Sequence, residues 1–269
     1  MTRLTGLVAA ALLLGSAASQ AAPYTATGTG TSTAGDPIAA SVSIDVSGSN
    51  LVIVLTDTST TNTGYQPPDA LLGIFFNMAP NLTLTPLSAA LTSGSTVLGT
   101  IPAGNTLGDY WQYKFSSTGF TQTNSPFLSV PDKYGISATG IQLFGPGGNF
   151  GSNPTIPING VDGAIVGTDY NDATANGGMT TSGHGPFEQD SITLTLSISS
   201  LPPGFDPSTA ITDLSFIYGT APDSLLTGSQ CQNCVTQRDS TVPEPATLAM
   251  FAFGLLGLGG LLRLRKAAA

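Results

Sequence analysis

Apolar and polar residues alternate along much of this chain with a period of two, the pattern of a β-strand that has one buried face. Residues 191–198 show the pattern without a break, since every second residue is Ile or Leu and the others are Ser or Thr. Residues 40–46 alternate in the same way, and an apolar run at 51–55 follows the Gly/Ser/Asn-rich residues 47–50. Two such segments joined by a four-residue loop predict a β-hairpin.

Five further short segments have the composition of strands and are separated by Gly and Pro. They are residues 71–77, 81–85, 109–115, 139–144 and 213–218. Eight or more short strands predict an all-β fold, an antiparallel β-sandwich or jelly-roll-like single domain. We assign this domain to residues 22–228, because nothing marks a second domain and no internal repeat points to a solenoid or propeller.

The amino-acid composition excludes several functional classes. Only 9% of the residues are charged, compared with about 25% in an average soluble domain. Acidic residues number 16 and basic ones 7, so a net charge of −9 offers no basic surface to nucleic acid. The 41% apolar content is too high for a disordered acidic chain, and the 33 Gly and 19 Pro residues disfavour long helices.

The N-terminal residues have the three-part layout of a secretory signal peptide. Arg3 precedes an apolar run at residues 7–14, and small residues follow. Ser19 and Ala21 fit the −3 and −1 positions of a cleavage site. We therefore predict a signal peptide at residues 1–21, export by the Sec machinery and cleavage by signal peptidase.

The C-terminal residues 243–269 combine a proline motif, an apolar run and a basic cluster. The apolar run is 246–262, and 17 residues at about 1.5 Å each span roughly 25 Å, enough to cross a thin bilayer as a helix. The run is preceded by Val242, Pro243, Glu244 and Pro245. It is followed by the membrane stop Arg263, Arg265 and Lys266. The positive-inside rule keeps that basic end in the cytoplasm and places the β-domain outside.

Pro243-Glu244-Pro245, a Gly/Leu-rich span and a terminal Arg/Lys cluster resemble the sorting signal of PEP-CTERM proteins, the exosortase-dependent surface proteins of Gram-negative bacteria. The resemblance implies that exosortase, a membrane-embedded enzyme, reads and removes the tail while the chain is held in the inner membrane. It also implies release or attachment at the cell surface, in association with exopolysaccharide and biofilm. Residues 187–220 show a weaker resemblance to the last strands of such proteins. The alternative is an ordinary C-terminal membrane anchor.

Charge is unevenly divided between the ends and the body of the chain. Residues 22–242 keep three basic residues and 15 acidic ones, so more than half of the basic residues belong to the two ends. We therefore predict a strongly acidic mature domain.

The two cysteines lie in a polar segment, residues 229–242, which we predict to be a linker. Cys231 and Cys234 have thioredoxin-like spacing but lack the βαβ setting of a redox site. With one histidine in the chain, a zinc site is also disfavoured. A local disulfide is the favoured state in an oxidising compartment, and intermolecular pairing is the main alternative.

An acidic, Gly-rich loop supplies the candidates for metal binding or acid–base chemistry. Asp162, Asp169 and Asp172 are weak calcium candidates, because their spacing matches no known calcium loop. A secreted hydrolase would instead use Glu188, Asp190 or the single histidine, His184. No complete catalytic motif accompanies these residues, and Asp is common in turns without metal.

Aromatic residues cluster in residues 109–115. On a strand Trp111 and Tyr113 share one face, while Tyr110 points the other way. If the pair faces solvent, it could stack on sugar rings as a carbohydrate-binding module does. The alternative is that these are core aromatics. The leading prediction is a non-enzymatic surface or matrix protein, and the two rivals are a carbohydrate-binding module and a secreted hydrolase.

Overall fold

Nearly all regular structure in the described part of the chain is β. The computed structural model describes residues 21–60, 64–121, 129–138, 144, 147–152, 160–170, 185–219 and 224–230. The strands are β1 Tyr24–Thr31, β2 Pro37–Ser47, β3 Asn50–Asp57, β4 Leu71–Met78, β5 Leu84–Leu91, β6 Thr96–Leu98, β7 Trp111–Phe115, β8 Phe120–Thr121, β9 Ser129–Val130, β10 Tyr134–Ala138, β11 Ile165–Val166, β12 Phe187–Gln189, β13 Ser191–Ile198, β14 Ile211–Tyr218, β15 Ser224–Thr227 and β16 Ser229–Gln230. One four-residue helix, α1 Pro207–Ala210, and two 3₁₀ turns, Pro67–Asp69 and Leu107–Tyr110, complete these elements.

The first sheet is antiparallel and has the strand order β16-β1-β2-β3-β13-β5. Its centre is the predicted β2–β3 hairpin, which is confirmed. The turn is tighter than predicted, because Ser47 pairs with Asn50 and leaves two residues in the connection. Gly48 occupies the first of these positions with φ +61°, a conformation that glycine adopts at little cost.

The second sheet has eight strands and branches at β4. One edge of β4 pairs with β14, which continues to β15. The other edge pairs with β10 and, at Leu71, with β11. From there β10 continues to β7, while β11 continues through β12 to β6. Only the β11–β12 pair is parallel among the strand pairs described.

The core lies between the two sheets. In β2, β3 and β13 every second side chain is buried, as their alternating sequences predict. A Cβ on Gly28 of β1 would lie 2.9 Å from the Phe216 ring of β14. Glycine at this position therefore lets a strand of one sheet approach an aromatic ring of the other closely.

Strands β4 and β10 differ from the others because both of their faces are buried. Phe75 of β4 packs on Phe120 and Phe144, with ring centroids 5.0 and 6.3 Å apart. These two residues come from segments that cover the outer side of the second sheet. A strand buried on both faces has no alternating pattern, which is why residues 134–138 escaped the sequence prediction.

The all-β prediction is confirmed, with local corrections. The strand predicted at 81–85 begins at Leu84 and runs to Leu91. The segment predicted as one strand at 109–115 is a 3₁₀ turn followed by β7, because the Asp109 side chain accepts hydrogen bonds from the Thr106 backbone N–H at 2.6 Å and its hydroxyl at 2.9 Å. Residues 139–143 lie outside the described residues, and Phe144 is in a turn.

Strand β16 pairs with β1, so the first sheet includes residues 229 and 230, which lie in the segment predicted as a linker. The chain divides into two compact units, 1–232 and 233–269, and all described residues belong to the first. The predicted transmembrane run 246–262 and signal-peptide residues 1–20 lie outside the described residues. Among the residues that are described, no helix is long and apolar enough to cross a membrane.

Candidate functional site

A cleft opens at one end of the second sheet, where β4 and β14 lie next to the segment before β10. Its volume is about 500 Å³. It is lined by Asn77, Met78, Ala79, Pro80, Asn81, Pro131, Lys133, Thr212 and Asp213. The lining residues thus combine apolar side chains with one acid, two amides, one hydroxyl residue and one lysine.

The side chain of Asn77 organises the polar end of this cleft. Its amide nitrogen Nδ2 donates to Asp132 Oδ1 at 2.8 Å and to Asp213 Oδ2 at 3.3 Å. Its oxygen Oδ1 accepts the Lys133 backbone N–H at 3.0 Å. Because the backbone fixes the oxygen, the orientation of the amide is determined and its NH₂ group must face the two carboxylates.

Asp213 reaches Asn77 through an irregular backbone. Its φ is +52°, in the left-handed region, and the pairing of β14 with β4 shifts register between Thr212 and Ser215. A non-glycine residue in this region is strained, and such strain is often found at functional positions. The irregularity places an exposed carboxylate at the cleft instead of continuing the regular side-chain alternation of the strand.

Asp132 lies behind Asn77 and does not itself line the cleft. Its side chain is 3% exposed. Burial, and secondarily the neighbouring Asp213 carboxylate, raises the pKa of Asp132 to about 6. The Asn77 amide therefore separates one carboxyl that is easily protonated from one that faces solvent.

A second polar cluster links the two sheets inside the core. Tyr65 Oη donates toward Asp57 Oδ2 at 2.7 Å, and Tyr218 Oη lies 3.3 Å from Asp57 Oδ1 and 2.8 Å from the Ala39 carbonyl. The Ser59 backbone N–H donates to Asp57 Oδ1 at 2.9 Å. Burial raises the pKa of Asp57 to about 7, although these hydrogen bonds act in the opposite direction. With Asp57 1% exposed, this cluster holds the sheets together and presents nothing to a ligand.

Glu188 and Trp111 form a third buried polar position. Both side chains are 0% exposed, and neither the carboxyl oxygens nor the indole nitrogen has a hydrogen-bond partner in the described part of the chain. Burial raises the pKa of Glu188 well above its usual range, and the nearby indole N–H opposes this only in part. Burial therefore favours the neutral form of this carboxyl, which lies in the core without exposed surface.

Two of the three calcium candidates, Asp162 and Asp169, lie among the described residues. Asp162 is buried and accepts the Gly185 backbone N–H at 2.7 Å. Asp169 has both carboxyl oxygens buried without a hydrogen-bond partner among the described residues, and Asp172 lies outside them. Among the described residues no group of three His, Cys, Asp or Glu side chains could hold a metal ion.

The aromatic pair proposed for sugar contact lies in the core. Trp111 is 0% and Tyr113 is 7% exposed, so neither ring offers a face to a sugar in solvent. The physical reason is that β7 pairs with β10, and the side chains of residues 111–113 are buried on both faces of β7. Their aromatic character reflects packing, which was the alternative interpretation of the sequence.

Two of the three hydrolase candidates, Glu188 and Asp190, lie among the described residues. Glu188 is enclosed in the core, whereas Asp190 is half-buried at the junction of β12 and β13, with φ +84°. Neither lines the cleft at Asn77. His184, Cys231 and Cys234 lie outside the described residues, as do the sorting residues 242–245 and the basic stop at 263–266.

Sequence reasoning missed Asn77, Asp132 and Asp213 as a group. They lie on three different segments, and their sequence separations of 55 and 136 residues give no local spacing to recognise. The only local signal is Asp213 itself, a polar residue where the alternating pattern of 211–218 is interrupted.

Comparison with known proteins identifies the C-terminal segment. The family model of the PEP-CTERM protein-sorting motif matches residues 241–266. The chain therefore carries a PEP-CTERM sorting motif, which implies targeting to exosortase, export, and a cell-surface or extracellular fate. No curated protein and no solved structure matches the chain.

Proposed function

We propose that this protein is a non-enzymatic component of the cell surface or extracellular matrix, associated with exopolysaccharide and biofilm. The single observation that carries the proposal is the PEP-CTERM motif at residues 241–266. The motif accounts for the delivery of the chain, and the acidic, β-rich body is the part that would remain after processing.

The proposed route uses both ends of the chain. A signal peptide at residues 1–21 directs export through the Sec machinery and is removed by signal peptidase. The run 246–262 then holds the chain in the inner membrane, with Arg263, Arg265 and Lys266 on the cytoplasmic side. Exosortase recognises Val242-Pro243-Glu244-Pro245, which the two prolines keep extended. A disulfide between Cys231 and Cys234 would close a small loop next to this site.

The arrangement of acidic groups supports a non-enzymatic role for the mature domain. Among the described residues four carboxyls have raised pKa values, those of Asp57, Asp69, Glu188 and Asp132. The first three residues are 0–1% exposed, and Asp132 lies behind Asn77. A general acid must contact its substrate, and none of these groups is placed to do so.

Processing tests the sorting part of the proposal. Pro243, Glu244 and Pro245 are replaced together by Ala in a host that contains exosortase, and Ser240→Ala, outside the matched segment, is the control. We expect the triple variant to remain full length in the membrane fraction, while the wild type and the control are shortened. Normal shortening of the triple variant on a blot would contradict the proposal.

Fractionation of the same cultures tests the matrix part. Processed wild-type protein is expected to co-fractionate with the exopolysaccharide and to be released when the polysaccharide is degraded enzymatically. Processed protein found free in the medium, with none in the polysaccharide fraction, would contradict the matrix role and leave the sorting role intact.

A further inference from the structure

The cleft at Asn77 has the chemistry of a site for a polar, uncharged ligand. Its polar lining residues include Asp213, an exposed residue whose carboxylate accepts hydrogen bonds, and Lys133, a half-buried residue whose ammonium group donates them. Asn81 and Thr212 are exposed side chains that can both donate and accept. The formal charges of the acid and the lysine cancel, so the lining does not select for a net charge on the ligand.

Apolar atoms line the rest of the cleft. The rings of Pro80 and Pro131 are exposed, and Met78 and Ala79 complete this part of the lining. A saccharide ring has the matching chemistry, because its C–H face is apolar while its hydroxyl groups donate and accept at the edge. A volume of about 500 Å³ lies within the range of small-molecule sites.

We propose that this cleft binds one or two residues of a neutral saccharide, with the Asp213 carboxylate accepting from ring hydroxyls and the prolines packing on the ring. The proposal rests on the matrix function above and specifies the surface through which the domain would contact polysaccharide. The sugar-contact site proposed here is therefore this solvent-accessible cleft and not Trp111 and Tyr113, which are buried.

The geometry of Asn77 argues against a metal ion in the same place. The NH₂ group of Asn77 lies between the oxygens of Asp132 and Asp213, at 2.8 and 3.3 Å. A cation between the carboxylates would require the amide oxygen there instead, and the Lys133 N–H holds that oxygen on the other side at 3.0 Å. The amide therefore already fills the position that a bridging cation would take.

The charge of the domain argues against an acidic polysaccharide. Residues 22–242 contain 15 acidic and three basic residues, so a uronate or sulfated polymer would be repelled at low salt. The neutral class is favoured because Asp213 gains charge-assisted hydrogen bonds only from a donor such as a hydroxyl group.

Affinity electrophoresis tests the proposal with the full-length chain in mild detergent. The gels contain dextran or hydroxyethylcellulose as neutral polymers, alginate as an acidic one, or no polymer. We expect retardation in at least one neutral gel and none in alginate. Absence of retardation in both neutral gels would overturn the proposal.

Two substitutions at one position distinguish binding from folding. Asp213→Asn removes the charge, and Asp213→Gly removes the side chain while fitting the φ of +52°, so the glycine variant remains folded. Each should weaken the affinity by about tenfold or more, the size expected for a lost charge-assisted hydrogen bond. Asp45→Asn makes the same charge change on the outer face of the first sheet and should bind as the wild type does.

Retardation of both Asp213 variants equal to that of the wild type would refute the assignment of the cleft. The binding results do not depend on processing, which is measured separately with the variant in which Pro243, Glu244 and Pro245 are replaced by Ala. A chain that is processed normally and binds no neutral saccharide loses the cleft assignment and keeps its sorting role.

Discussion

The replacement of Asp57 by Asn isolates the cost of burying a carboxyl between the two sheets. In the folded protein Asp57 is 1% exposed and its pKa is raised from 3.8 to about 7. Between these values the folded protein keeps a proton that the unfolded chain has released. The stability contributed by this group is therefore complete below about pH 4 and is lost as the pH rises to about 7.

The magnitude follows from the change in pKa. One unit is worth about 1.4 kcal/mol, so a change of about three units corresponds to about 4 kcal/mol. The side-chain amide of the Asp57→Asn variant has nearly the same shape as the carboxyl and does not titrate. The amide oxygen can still accept the Ser59 N–H, and the NH₂ group can donate to Tyr65 Oη. The Tyr65 hydroxyl can then donate to the Asp69 carbonyl, which lies 2.8 Å from it in the wild-type protein. The variant should therefore keep the hydrogen bonds of the site without the cost of a buried charge.

The assay is urea unfolding of the full-length chain in mild detergent, from about pH 4 to about pH 8. The fluorescence of Trp111, the chain's single tryptophan and fully buried, reports unfolding. We expect the free energy of unfolding of Asp57→Asn, relative to that of the wild type, to rise by about 4 kcal/mol between pH 4 and pH 7 and then stay constant. The other carboxyls with raised pKa values, Asp69, Asp132 and Glu188, are present in both proteins, so their effects cancel in this difference.

Asp45→Asn is the control, since it removes a carboxylate from the outer face of the same sheet. The reasoning is refuted if the difference in free energy between Asp57→Asn and the wild type varies by less than about 0.5 kcal/mol across this pH range. Such a result would mean that water or structural relaxation solvates Asp57 in the folded protein.

Two further predictions concern the packing that supports the sheets and the cleft. Gly28→Ala places a Cβ 2.9 Å from the Phe216 ring and should lower the free energy of unfolding by about 1–3 kcal/mol. The control is Thr29→Ala, at an exposed position of the same strand, which should change this free energy by less than about 0.5 kcal/mol. Equal melting temperatures for the two variants would show that the sheets adjust freely at this contact. The Tyr134 hydroxyl accepts the Leu82 N–H at 2.7 Å and donates to the Leu82 carbonyl at 3.0 Å. Tyr134→Phe leaves these two buried backbone groups unpaired and should lower the free energy of unfolding by about 1–3 kcal/mol. Unfolding of Tyr134→Phe in urea at the wild-type midpoint would contradict this, and Tyr113→Phe provides a matched comparison in the neighbouring strand.

The sequence predicts a strand where its residues either alternate or form an apolar run. Residues 191–198 were predicted to the residue, because one face meets the core and the other meets solvent. Strand β4 is buried on both faces but was predicted at 71–77 from its apolar run. Strand β10 was missed, because Phe120 and Phe144 cover the outer side of the second sheet and residues 134–138, which include Gly, Ser and Ala, show neither pattern. The sequence also misplaced the start of β7, since the Asp109 side chain accepts the Thr106 backbone N–H and stabilises a 3₁₀ turn at residues 107–110.

The sorting signal and the class of fold were determined by the sequence alone. A proline motif, an apolar run and a basic cluster are recognised as linear segments, and strand periodicity is a local property of the chain. The cleft was decided only by the tertiary structure, because Asn77, Asp132 and Asp213 are brought together by the pairing of β4 with β10 and β14. The burial of Trp111 and the raised pKa values of Asp57 and Glu188 likewise depend on which surfaces pack together. Solvent exposure and electrostatic environment are properties of neighbours in space, and residues far apart in the sequence supply those neighbours.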